Sequence, residues 1–132
     1  MNARLVPDQA PAGAIEALYA TGHWLYSQGR IEHAHAVFRA LIYLVPSDER
    51  GWLALGACHE AMDQDEIALR IYEDAIPRAE PAPRCELARA RILRRWGRAD
   101  EARQAVNEAG RVADLLRDDE LRSLVAHERG RR

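Results

Sequence analysis

The sequence predicts an all-α protein of three helix pairs, and three observations predict it. Apolar residues recur at helical spacing over most of the 132 residues. Small and bulky side chains return at a fixed interval of 34 positions. Glycine and proline punctuate the gaps between the periodic stretches.

The elements follow in order. A helix over 14–28 ends before Gly29, which can take the positive φ that closes a helix. The second, over 31–45, carries Ala34 and Phe38 and stops at Pro46. The third covers 49–62 and has Gly56 at its middle. The fourth, 65–77, carries Ala68, Tyr72 and Ala75 and is ended by Pro77, Pro81 and Pro83. The fifth covers 83–96 and ends before Gly97. The sixth, 99–110, carries Ala102, Val106 and Ala109. An amphipathic helix over 111–127, with Val112, Leu115, Leu116, Leu121, Leu124 and Val125, caps the C-terminal end. Residues 1–13 read as a mobile N-terminal arm and 128–132 as a basic tail.

The spacing explains the residue types. Gly22, Gly56 and Ala90 recur at 34 in the first helix of each pair, where a minimal side chain lets the partner helix approach. Ala34, Ala68 and Ala102 do the same from the second helix, and Phe38, Tyr72 and Val106 are the larger plugs. Gly29, Asp63 and Gly97 mark the turn within each pair. Helix pairs of 34 residues are the tetratricopeptide repeat. Its copies lie at about 15–48, 49–82 and 83–116 in a domain over 14–127. Such pairs stack into an α-solenoid whose concave groove is lined by the first helix of each pair. Leu18, Gly22 and Leu25 take the core slots of the first helix. The third repeat is the weakest: Arg89 stands where Thr21 and Leu55 stand, with Arg91, Arg94 and Arg95 beside it. Either that pair packs loosely or its arginines have a job.

Steps of three and four keep side chains on one helical face. They group Tyr19, His23 and Tyr26 below Glu16, then Leu53, Ala57 and Glu60 below Arg50, then Leu87, Arg91 and Arg94 below Arg84. The expected trough has tyrosines at one end, small residues at its centre and arginines at the other. An extended peptide is its natural ligand, and the arginines can meet a carboxylate.

Other chemistry is not expected. A formal net charge of -2 is a poor footprint for nucleic acid or an anionic membrane. No apolar run approaches the ~20 residues of a membrane span, and Met1 to Pro7 lack a signal-peptide core. Cys58 and Cys85 read as small buried side chains rather than a disulfide framework. His33 and His35 point to different faces, and His59 with Cys58 has no partner pair at zinc spacing. Asp63, Asp65 and Glu66 read as a helix-start feature. No phosphate loop or nucleophile elbow appears, so no enzyme activity, cofactor or metal is expected.

Three stretches carry a more specific likeness. They are Tyr19 to Gly29 followed by His33 to Leu41, then Trp52 to Met62 with its Leu55-Gly56-Ala57-Cys58 core, and Glu80 to Arg84 leading to Gly97. Over about residues 15–110 the chain resembles the class II chaperones of bacterial type III secretion systems. The resemblance implies a cytoplasmic chaperone that holds an extended segment of a hydrophobic translocator in its groove and keeps it soluble before export. By motif position, Tyr19, His23, Tyr26, Leu53, Ala54, Ala57, Glu60, Arg84, Leu87 and Arg91 would line that groove. Family members usually carry a longer N-terminal segment that helps form a dimer, whereas about 14 residues precede the first repeat here, so a homodimer stays open. His23 replaces an aromatic and Ile31 stands where a tyrosine is common. A needle-subunit chaperone of the same system and a general tetratricopeptide adaptor are the alternative readings.

Overall fold

The computed structural model describes residues 11–131, so most of the N-terminal arm and the last residue of the basic tail lie outside it. Seven helices follow one another: α1 (Ala12–Ser27), α2 (Ile31–Leu44), α3 (Glu49–Ala61), α4 (Asp65–Arg78), α5 (Pro83–Arg95), α6 (Ala99–Leu116) and α7 (Asp119–Arg129). No strand occurs among the described residues. They fall into two compact units, one running through Ile71 and one starting at Tyr72, with the division inside α4.

The 34-residue period is visible in the backbone. Gly29 and Gly97 both have φ 77°, and Asp63 between them has φ 58°. At each turn the next amide closes a long bond back into the helix: Arg30 N–H to Leu25 O, Gln64 N–H to His59 O and Arg98 N–H to Leu93 O, all 2.9 Å. The left-handed residue donates to the carbonyl three positions back, at 3.0 Å in all three turns. This is the Schellman closure, and it satisfies helix-end carbonyls that would otherwise be orphaned. Aspartate tolerates the left-handed region better than most residues, so Asp63 fills a glycine position.

In the first unit α1 packs on α2 and α2 on α3. Ile15, Tyr19, Ala34, Phe38, Leu41, Ala54, Leu55 and Cys58 form its buried core. Gly22 works as the spacing predicts: a Cβ there would fall 2.5 Å from Phe38 Cε1 and 2.7 Å from its Cζ. The helices meet at that point because glycine has no side chain. Burying the Phe38 ring there contributes about 1.5–3 kcal/mol. The core register of α1 is rotated from the expected one. Ile15, Tyr19 and Gly22 are buried, and Leu18 and Leu25 only flank the core.

In the second unit α5 packs on α6, α6 on α7, and α7 against α5. Ala102, Val106 and Ala109 are buried at the places the repeat assigns them. The third pair is not loose: Cys85, Leu87, Ala88, Ala90, Ile92 and Leu93 of α5 are all buried. Its arginines have carboxylate partners, Arg89 with Glu73 at 3.1 Å and Arg94 with Glu128 at 3.1 Å.

Three local expectations need correction. The sixth helix does not end at 110 but runs to Leu116. Arg117 then takes the left-handed conformation at φ 51°, and Asp118 caps α7 by accepting from the Leu121 N–H at 3.0 Å. Leu115, Leu116 and Leu124, read as the apolar face of one capping helix, are exposed, while Leu121 and Val125 are buried. Pro77 lies within α4, which continues only to Arg78: its missing N–H takes one bond from the last turn, and the helix ends a residue later. Pro83 starts α5, where its missing N–H costs nothing.

Candidate functional site

The first unit holds an apolar cleft of about 330 Å³ lined by His23 and Tyr26 from α1, Phe38 from α2, and Arg50, Leu53, Ala54 and Ala57 from α3. The small residues of α3 make it. Ala54 and Ala57 leave the space that larger side chains would fill, and the Phe38 ring closes the floor. His23 packs edge-on against Phe38, with ring centroids 5.3 Å apart. Tyr26 is half-exposed at the rim.

Arg50 forms the polar edge. Asp48 caps α3 by accepting from the Arg50 N–H at 3.0 Å, and the Arg50 guanidinium donates back to Asp48 Oδ2 at 2.8 Å. The same guanidinium reaches Glu16 Oε1 at 3.0 Å and lies 4.2 Å over the ring of Tyr19. Burial opposes ionisation of Asp48, but the hydrogen bonds from Arg50 prevail and hold its carboxyl below the usual range. The carboxylates raise Arg50 further, so its charge is permanent.

Tyr19 therefore does not line the cleft. It is 5% exposed, in the core beneath Arg50. Its hydroxyl lies close to Gly51 and Asp48 but closes no hydrogen bond of normal geometry. Burial, helped by Asp48, pushes the phenol up to about 12. The three-four spacing put Tyr19 on a face with His23 and Tyr26; it could not show that Arg50, 34 positions after Glu16, seals that end.

Of the other predicted residues, His23, Tyr26, Leu53, Ala54 and Ala57 converge on the cleft. Glu60 is half-buried on α3 and is not among its lining residues. Arg84, Leu87 and Arg91 belong to the second unit. Leu87 is buried at 3% exposure, because α5 is covered on most of its circumference, and so it presents no groove surface. Arg84 lies 3.7 Å from both Asp118 and Glu120, and Arg91 3.6 Å from Glu128. Phe38 was read only as a plug between pairs, yet its ring is also the cleft floor. The Gly22 opposite it was the available signal.

A pair that spacing could not reveal links α2 to α3. His35 Nε2 and His59 Nε2 lie 3.1 Å apart, and His59 Nδ1 lies 2.7 Å from Gln64 Oε1. Burial, then His59 and Arg39, hold His35 below the ordinary histidine value. Burial pushes the Cys58 thiol up to about 11, which makes it an inert core side chain.

These features define a tetratricopeptide-type all-α protein with an apolar cleft on its first helix pair. No family model matches the chain. It is 32% identical over 120 residues to the low calcium response locus protein H of Yersinia pestis, covering 90% of this chain and 71% of that one. Its structure is similar to that of the type III secretion translocator chaperone SycD of Yersinia enterocolitica, with TM-score 0.78, 28% identity and 96% of both chains covered. It is also similar to PcrH, a Pseudomonas aeruginosa protein, solved with the chaperone-binding region of PopB. That match has TM-score 0.75 and 28% identity, and covers 89% of this chain and 94% of the other. The chain belongs to the class II translocator chaperones of type III secretion systems.

Proposed function

We propose that this chain binds an extended segment of a hydrophobic translocator protein and keeps it soluble before export. The observation that carries this reading is the cleft between α1, α2 and α3, whose Tyr26, Phe38, Leu53, Ala54 and Ala57 offer an apolar surface with room for side chains. A segment that would otherwise aggregate or insert into a bilayer is masked by burying its apolar residues there. His23 and Arg50 at the edges supply hydrogen-bond donors for the segment's backbone carbonyls. PcrH, solved with the chaperone-binding region of PopB, supports the same use of the fold here. The work is binding rather than catalysis, and its setting is the bacterial cytoplasm, where substrates wait for export. No described helix is long and apolar enough to cross a membrane.

The test is co-expression of the full chain with a hydrophobic translocator from the same secretion system. The expected result is a soluble complex that survives gel filtration. A translocator that stays insoluble, or a complex formed only with a small needle subunit, would overturn the reading.

A further inference from the structure

His35 on α2 and His59 on α3 are 24 positions apart in sequence, yet their Nε2 atoms meet at 3.1 Å. Neither ring lines the cleft. Gln64 presents Oε1 to His59 Nδ1 at 2.7 Å. With the Gln64 amide in this orientation its oxygen accepts from Nδ1–H, and in that tautomer the His59 Nε2 lone pair faces His35. That is the usual way in which a second residue fixes the tautomer of a metal-binding histidine.

We propose that His35 and His59 chelate a first-row divalent transition-metal ion, Zn²⁺, Ni²⁺ or Cu²⁺, through their Nε2 atoms. Imidazole suits these ions. With metal–nitrogen bonds of about 2.05 Å, the 3.1 Å separation gives a nitrogen–metal–nitrogen angle of about 98°. Opening the pair by about 0.25 Å reaches the tetrahedral angle. The ring separation is compatible as well. Two imidazoles aimed at one such ion would have centroids about 4.8 Å apart, and these lie 4.9 Å apart.

In that tautomer and without the ion, His35 Nε2–H is the donor and His59 Nε2 the acceptor of the 3.1 Å contact. On binding, the His35 proton passes through solvent to its own Nδ1, and both Nε2 lone pairs then face the metal. Among the described residues no group of three or more His, Cys, Asp or Glu is placed to hold a metal, so water completes the coordination. The ion clamps α2 to α3, the helices that carry Phe38, Leu53, Ala54 and Ala57 of the cleft.

The experiment is calorimetric titration of the untagged full chain with ZnCl₂ and NiSO₄, paired with thermal melting. One saturable equivalent is expected, with a rise in Tm that follows occupancy. His35→Gln and His59→Gln, which keep size and polarity, should each abolish both effects. Gln64→Ala should weaken binding by about tenfold, and His33→Ala should change nothing. Should the glutamine variants fail to fold, histidine ring resonances of the wild-type chain decide: Zn²⁺ should move two of the five sets. Absence of a saturable equivalent, equal binding by the folded glutamine variants, or shifts at His23, His33 or His127 instead would overturn the proposal.

Discussion

Gly22→Ala probes the contact that shapes both the first helix pair and the floor of its cleft. The new Cβ would stand 2.5, 2.7 and 3.1 Å from three atoms of the Phe38 ring, where ordinary contact begins at 3.4 Å. Phe38 is 1% exposed, so its ring can yield only toward the cleft it floors, against His23 and Ala54. Either α1 moves outward or the ring leaves its rotamer, and overpacking of that kind costs about 2–3 kcal/mol. Replacing a mid-helix glycine by alanine returns about 1 kcal/mol of helix propensity. The net expectation is a loss of about 1–2 kcal/mol. Gly13 gives the control, since it lies in the same helix with nothing within 4 Å of the added atom. Gly13→Ala should gain about 0.5 kcal/mol, less than a central position because it lies in the first turn. Urea unfolding followed by circular dichroism reads both as shifts in midpoint at constant slope. A Gly22→Ala chain as stable as the wild type would refute the close approach of α1 and α2.

Three further outcomes follow from the same structure. Tyr19→Phe removes a buried hydroxyl that closes no hydrogen bond, so thermal unfolding at neutral pH should show stability unchanged or raised by up to about 1 kcal/mol. Because the Tyr19 phenol ionises near 12 when folded, above its ordinary 10.0, its contribution is complete below pH 10 and fades as pH rises toward 12. Alkaline unfolding should therefore be steeper in the wild type than in Tyr19→Phe. Arg117→Gly relieves a left-handed residue with a Cβ at the end of α6 and should stabilise by about 1 kcal/mol in a urea melt. Asp48→Ala removes both the α3 cap and the main partner of Arg50, and should cost about 1–2 kcal/mol by the same measurement.

Much of the fold was legible because its constraints are local and periodic. Ala34, Ala68 and Ala102 are buried to 1% or less, since a larger residue at any of them would hold the paired helices apart. Asp63 could be matched to Gly29 and Gly97 by counting alone, and all three share one turn geometry. The end of α6 was not legible. Leu115 and Leu116 continue the apolar rhythm, and nothing about an arginine announces a left-handed cap. Within the site, His23, Tyr26, Leu53 and Ala57 followed from helical spacing, and Ala54 from the family resemblance. Tyr19 did not, because the rotation of α1 depends on where Phe38 and Arg50 lie in space. The His35–His59 contact joins residues with no common spacing rule, so only the packing of α2 on α3 reveals it.

The cleft itself is tested most directly by calorimetry, using a peptide that spans the translocator's chaperone-binding segment. Tyr26→Ala combined with Leu53→Ala should weaken binding by about 2–4 kcal/mol, and Ala57→Arg, which fills the cleft with charge, should abolish it. Helical content should stay at the wild-type level in both variants. Wild-type affinity in a folded Ala57→Arg chain would contradict the assignment of this cleft as the place where the segment is held.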